Sequence, residues 1–258
     1  MPLYLRCLPR WILTVLALVV VTPILAFPVM VLSLWRPAEK YGVWTARTWA
    51  LFVSKAMGLT FSIQGAEKIV PGASYIIAPS HQSNADILAM MGTLPMPFRW
   101  VVKKELLKIP FFGSALGGIG SVAIDRSNRE QSVKSIREAS EKLKDGWSVL
   151  IYPEGTRTPD GHLLPFKKGA FMLAVQTGVP ILPITQNGAF KVLPKKHIGF
   201  RPGHITVIVG DPISTEGLTE ADVPELMEKT RQEISRHLDL DYDPFDPGIA
   251  TRLKEQTR

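Results

Sequence analysis

The chain has 258 residues, one cysteine and a formal net charge of +7. That length suits one domain with an appendage, one cysteine excludes an intramolecular disulfide framework, and no Cys/His cluster suggests a structural zinc site. A hydrophobic share of 46% excludes a disordered chain and directs attention to a membrane.

The charge is unevenly placed. Residues 201–258 hold 7 basic and 12 acidic residues, and the first 200 hold 23 basic and 11 acidic. A basic front suits a phosphate-rich partner, whether a nucleic acid, an anionic membrane or a phosphorylated substrate. The N-terminus selects among these. Trp11–Trp35 is a run of 25 residues without a charge, and about 20 apolar residues cross a hydrocarbon core. Tryptophans at both ends suit the membrane interface, and Arg6, Arg10, Arg36 and Lys40 flank the run. Pro23 and Pro28 lie inside it, so a kink or break is expected. A single spanning helix and a hairpin dipping into one leaflet both fit. A cleaved signal peptide fits less well, because the run exceeds a usual apolar core and no small-residue cleavage site follows. Residues 40–58 place Val43, Trp44, Trp49, Phe52 and Val53 among Lys40, Arg47 and Lys55. That pattern suits an interfacial helix, with an ordinary core helix as the alternative.

From about residue 60 the pattern becomes that of an α/β domain. Strands are predicted over 74–79, 99–102, 121–124, 148–152, 181–186 and 204–209, bounded by Gly, Pro and Asn. Helices are predicted over 85–91, 131–144, 168–177 and 219–238. The alternation argues an α/β fold, a mixed sheet covered by helices, behind an N-terminal membrane-embedded helical segment. The expected division is a membrane-anchoring segment 1–60, an α/β domain 61–240 and an acidic, turn-rich tail 241–258.

In such sheets function gathers in loops at the carboxyl ends of strands. The first strand is followed by Ser80-His81-Gln82-Ser83-Asn84-Ala85-Asp86. Five residues rotate a helix by about 140°, so His81 and Asp86 meet only if His81 lies in the loop and Asp86 in the first helical turn. Asp86 would then fix one imidazole nitrogen and leave the other free to accept a proton. The alternative is a helix-capping aspartate beside a surface histidine. Ser80 and Ser83 lie near, but no G-x-S-x-G elbow occurs in the chain and Cys7 precedes the apolar run. A His–Asp pair without a protein nucleophile implies a substrate that brings its own hydroxyl.

The other strand exits are basic. Lys103 and Lys104 end the second strand, Asp125-Arg126 follows the third, and Glu154-Gly155-Thr156-Arg157 follows the fourth. Gly155 permits a positive-φ turn, and the guanidinium of Arg157 or Arg126 offers a fork suited to phosphate. Glu154 is read as orienting Arg157 or capping backbone amides, with an acid/base role as the alternative. Gly118-Ile119-Gly120-Ser121-Val122-Ala123 matches G-x-G-x-x-A but precedes a strand rather than following one, so it is read as a turn. His162, His197, His204 and His237 show no metal-ligand spacing and are read as structural or surface residues.

Together these residues resemble the 1-acylglycerol-3-phosphate acyltransferases, within the wider glycerolipid acyltransferases. The resemblance covers roughly residues 60–215 in four ordered blocks. They are His81-x-x-x-x-Asp86; Lys104-Glu105-Leu106 through Pro110 and Gly113 to Ile124-Asp125-Arg126; Tyr152-Pro153-Glu154-Gly155-Thr156-Arg157-Thr158; and Val179-Pro180-Ile181-Leu182-Pro183. The resemblance implies His81 as general base, Asp86 as its orienting partner, and Lys104, Arg126, Glu154, Gly155, Thr156 and Arg157 as the phosphate-binding set. It implies acyl transfer from acyl-CoA or acyl-carrier protein to the sn-2 hydroxyl of lysophosphatidic acid, with no metal or cofactor. It further implies contact with membrane lipids, and a bacterial inner membrane with the catalytic domain on the cytoplasmic side. Nucleic acid is not an expected partner, because the positive charge follows the apolar run and the strand exits. One departure is Asn84-Ala85, where many relatives carry aromatic residues between His and Asp. The alternatives are another lyso-glycerolipid or glycerol 3-phosphate as acceptor, a non-catalytic phospholipid-binding protein, and a hydrolase in which His81 activates water.

Overall fold

The computed structural model describes residues 3–33, 39–124, 140–141, 143, 146–195 and 199–240. The predicted helix 131–144, the Asp125-Arg126 pair, His197 and the tail after Leu240 lie wholly or mostly outside the described residues.

The chain begins with α1 (Leu3–Leu16), a π-helical turn (Ala17–Val21) and α2 (Thr22–Ser33). Helical structure therefore continues past Pro23, where a break was one of the expectations. A proline removes the hydrogen bond to the residue four back, and a π turn is a common way to absorb that loss. Leu8–Leu32 is long and apolar enough to cross a membrane, with a mean hydropathy of 2.7. Helix α3 (Glu39–Met57) runs back alongside it. The indole of Trp49 donates to the Thr22 hydroxyl at 2.9 Å, and Arg10 lies against Gly58 just beyond the end of α3. α3 buries one face and exposes the other. Ala50, Val53 and Met57 enter the core under the sheet, while Tyr41, Trp44, Leu51 and Phe52 stay exposed.

Seven strands form one sheet: β1 (Leu59–Gln64), β2 (Ile76–Pro79), β3 (Phe98–Lys103), β4 (Val122–Ile124), β5 (Ser148–Leu150), β6 (Ile181–Asn187) and β7 (Gly203–Val209). Their order is β1-β7-β6-β2-β5-β3-β4. All neighbours are parallel except β6 and β7, so the sheet is mixed as expected. β1 was not among the predicted strands, and it pairs along its whole length with β7. The helices of the α/β domain are α4 (Ala85–Thr93), α5 (Phe112–Gly118), α6 (Gly169–Thr177), α7 (Ala189–Val192) and α8 (Val223–Arg236). α5 was not predicted.

The inner strands are buried on both faces, which is why they read as continuous apolar runs. Ile77, Leu150, Leu182 and Ile184 face the core shared with α3 and α4. Ile76, Ala78, Val149 and Ile181 face the core shared with α6 and α8. Strands β2, β3, β4, β5 and β6 point the same way, so their carboxyl ends share one edge of the sheet. β2 and β5 are direct neighbours, Ile76 against Val149 and Ile77 against Leu150. The loops that leave them must meet.

At that edge Gly188 turns the chain from β6 into α7 with φ of +90°. A Cβ there would collide with the carbonyl oxygen of His204. Gly188→Ala is expected to cost about 2 kcal/mol or more of stability, read from thermal unfolding in detergent.

Candidate active site

The centre of the site is the carboxylate of Asp86. It lies in the first turn of α4 with no exposed surface. Its Oδ2 accepts from His81 Nδ1 at 2.8 Å, from the Gln82 amide at 2.7 Å and from the Ser83 amide at 2.8 Å. The Ser83 hydroxyl accepts from the Ala85 amide at 2.9 Å, capping the same helix start. A negative side chain in a first helical turn is also favoured by the helix dipole. Because an ionised carboxylate only accepts, Nδ1 carries the imidazole proton and Nε2 presents a lone pair. His81 remains 15% exposed, so that lone pair is within reach of a substrate.

The loop after β5 holds the other side of His81. Both backbone groups of His81 bond to it. The amide donates to Glu154 Oε1 at 2.8 Å, and the carbonyl accepts from the Thr158 amide at 2.9 Å. The Tyr152 ring stacks on the imidazole with centroids 3.8 Å apart and planes 19° apart. Trp100 stacks behind Tyr152 at 6.4 Å. The Tyr152 hydroxyl is buried beside Gln186, and burial pushes its pKa well above the usual tyrosine value. Gln186 in turn binds Ser80, its amide donating to the hydroxyl at 3.0 Å and its Nε2 to the carbonyl at 3.2 Å. Ser80 and Ser83 are therefore structural groups, each fully buried.

Glu154 is 2% exposed. Its Oε1 accepts from His81, and its Oε2 accepts from the Leu164 amide at 2.9 Å. Of the roles expected for it, the geometry shows the capping of backbone amides, one on each oxygen. Burial raises its pKa from 4.5 to about 7, against the pull of the two amides. Gly155 has φ of +70°, and a Cβ there would lie 2.9 Å from Cε of Lys167. The positive φ is what favours glycine here. Thr156 is exposed and Arg157 half-buried on the same turn. Lys104 is exposed in the 3₁₀ turn Lys104–Lys108 that follows β3, on the same edge of the sheet. Arg126 lies outside the described residues, two positions beyond the end of β4.

The structure thus brings His81, Asp86, Glu154, Gly155, Thr156 and Arg157 into one cluster. It adds Tyr152, Gln186 and the Leu164 amide, to which the sequence analysis gave no role. Tyr152 stood inside a block already singled out, and an aromatic residue leaving an apolar strand toward a histidine loop was the available signal. Gln186 and Leu164 offered none, because only the pairing of β6 with β2 and the fold of the loop after β5 bring them near. Beneath the hairpin, a small apolar cavity of about 50 Å³ opens between α2, α3 and α5, lined by Leu25, Val29, Ala46, Trp49, Met91 and Phe112 among others.

The chain is similar to known proteins. Residues 60–187 match a family model described as Acyltransferase. The human 1-acyl-sn-glycerol-3-phosphate acyltransferase alpha is 36% identical over 189 residues, covering 73% of this chain and 67% of the human protein. The mouse counterpart is 38% identical, with 63% of its length covered, so the chain spans about two thirds of these mammalian relatives. The 1-acyl-sn-glycerol-3-phosphate acyltransferase of Pseudomonas aeruginosa is 34% identical over 231 residues, covering 89% of this chain and 86% of that protein. The crystal structure of the 1-acyl-sn-glycerophosphate (LPA) acyltransferase PlsC from Thermotoga maritima superposes with a TM-score of 0.74 at 28% identity. It covers 90% of this chain and 97% of that one.

The raised pKa of Glu154 has a consequence for stability. Between its ordinary 4.5 and about 7, the folded chain holds a proton that the unfolded chain releases. Stability contributed below pH 4.5 is therefore lost as pH rises through 7. Relative to Glu154→Gln, the wild type is expected to lose stability of order 3 kcal/mol across that window. Unfolding midpoints of both proteins from about pH 4 to 8 measure it, and a constant difference contradicts the assignment.

Proposed function

The chain belongs to the 1-acyl-sn-glycerol-3-phosphate acyltransferase family, whose members are O-acyltransferases, and we propose that it transfers an acyl group from an acyl thioester to the sn-2 hydroxyl of lysophosphatidic acid, giving phosphatidic acid. The observation that carries the reading is the His81–Asp86 pair, bonded through Nδ1, with Ser80 and Ser83, the serines of the His81 loop, committed to structural hydrogen bonds.

In this mechanism Nε2 of His81 takes the proton of the acceptor hydroxyl as that oxygen attacks the thioester carbonyl. A tetrahedral oxyanion forms. The Gly155 amide is committed to the Tyr152 carbonyl at 3.0 Å, which leaves the Thr156 and Arg157 amides as the oxyanion donors of this reading. The C–S bond then breaks. The leaving thiolate, with a thiol pKa of about 8.5, takes the proton from the imidazolium. Asp86 holds the tautomer and stabilises the imidazolium while it exists. Arg157 grips the acceptor phosphate, with Lys104 and Arg126 adding charge at neighbouring strand exits, and this fixes the hydroxyl at His81. The donor is acyl-CoA or acyl-carrier protein.

The exposed apolar residues of α1, α2 and α3 supply the membrane contact. Trp11, Leu13, Val19, Phe27, Trp44 and Phe52 are all exposed, on helices packed against the α/β core. Lipid covers them, and the lysolipid and its product stay in that layer. The catalytic domain faces the compartment that supplies acyl thioesters, which in a bacterium is the cytoplasm. The division into a membrane segment 1–60, a catalytic domain 61–240 and a tail 241–258 follows this reading, with α3 as the part that serves both layers.

Membranes carrying the protein, given labelled lysophosphatidic acid and a long-chain acyl-CoA or acyl-carrier protein, are expected to form phosphatidic acid. His81→Ala is expected to lower the rate by about 10³-fold or more. Release of free fatty acid without acylated product would indicate a hydrolase. Tyr152→Phe is expected to keep most activity, while Tyr152→Leu lowers kcat about tenfold by loosening the imidazole.

A further inference from the structure

The segment from Gly188 to Lys195 touches both loops of the site, and none of its residues has a role in the mechanism above. Its Leu193 carbonyl accepts from the Ser83 hydroxyl at 2.8 Å, on the histidine side. Lys195, two residues on, reaches the other loop. Its Nζ donates to the Arg157 carbonyl at 2.7 Å and to the Thr156 hydroxyl at 3.2 Å. The two contacts are 38 and 39 residues apart in sequence and fix one ammonium over the turn that presents the Arg157 side chain.

The charge of this arrangement is unbalanced. Lys195 and Arg157 are both half-buried, and among the described residues neither side chain has a carboxylate partner. Glu154, the nearest acid in sequence, is spent on two backbone amides. The ammonium is held on the turn that carries the guanidinium, so an anion bound there meets positive charge from both residues. The lysine uses its donors on the loop itself, so it shapes the turn and adds its charge to the same place.

We infer that Lys195 is a positioning residue for the acceptor's phosphate, clamping the Thr156-Arg157 turn so that the guanidinium of Arg157 meets a dianionic headgroup. The inference rests on the reading that Arg157 binds that phosphate. It requires both the hydrogen bonds and the charge of the ammonium, which makes it separable from simple bracing.

The test is steady-state kinetics of the full-length protein in detergent–lipid micelles, for wild type, Lys195→Ala, Lys195→Gln and Lys195→Arg. KM is measured for lysophosphatidic acid and for the acyl donor, with thermal unfolding of each protein alongside. Lys195→Ala and Lys195→Gln are expected to raise the lysophosphatidic acid KM about tenfold, with kcat and donor KM within about twofold of wild type. Lys195→Arg is expected to recover most of the loss. An unchanged acceptor KM in Lys195→Ala overturns the inference. So does a parallel loss in kcat, both KM values and the unfolding midpoint, which marks a brace for the fold alone. Recovery by Gln as complete as by Arg overturns the role of the charge. A wild-type protein that binds donor but never acylates lysophosphatidic acid overturns the functional reading, and this inference with it.

Discussion

One buried carboxylate oxygen organises the site. Asp86 Oδ2 takes three N–H donors: the imidazole of His81 and the amides of Gln82 and Ser83. A buried carboxylate without such donors would be strongly disfavoured. Satisfying it therefore dictates the loop between β2 and α4, the start of α4 and the tautomer of His81 at once. Everything else at the site adjusts to that geometry. Tyr152 closes one face of the imidazole, and Glu154 holds the His81 backbone from the opposite loop. Two carboxylates thus act on one histidine, one through its ring and one through its main chain.

The sheet makes this meeting unavoidable. β2 and β5 are far apart in sequence but adjacent in the order, and the ladder continues beyond β5 as the Ile151 amide donates to the Ile77 carbonyl at 2.9 Å. The loop with His81 and the loop with Arg157 leave the same edge side by side. The N-terminal hairpin is tied to the same body. Ala50, Val53 and Met57 of α3 share a core with Ile77 and Leu150, whose strands carry the two loops. The height of the chemistry relative to the lipid-facing residues is accordingly set by rigid packing rather than by a linker.

Much of this was legible in the residues. Apolar runs bounded by Gly and Pro located six of the seven strands, because strands buried on both faces leave a strong local mark. The His81–Asp86 meeting followed from their spacing once Asp86 was placed in the first helical turn. What escaped depends on distant parts of the chain. β1 is a short strand of mixed polarity, Leu-Thr-Phe-Ser-Ile-Gln, stabilised by pairing with β7 about 144 residues away. α5 is brief and rich in Gly and Ala, with little periodicity to read. Pro23 was expected to kink or break the apolar run; helical structure continues past it, with a π turn just before. Tyr152, Gln186 and Lys195 gain their meaning from contacts between loops, which local pattern does not encode. The expected boundary at residue 60 falls within β1.

The central claim is that the acceptor hydroxyl attacks the thioester directly, under His81, without a covalent intermediate on the protein. The most direct measurement combines initial velocities at varied donor and acceptor with acid-quench of the protein after exposure to labelled acyl donor alone. The account predicts intersecting double-reciprocal lines and no label on the quenched protein. Parallel lines with a stoichiometric acyl group on a serine or cysteine would contradict it.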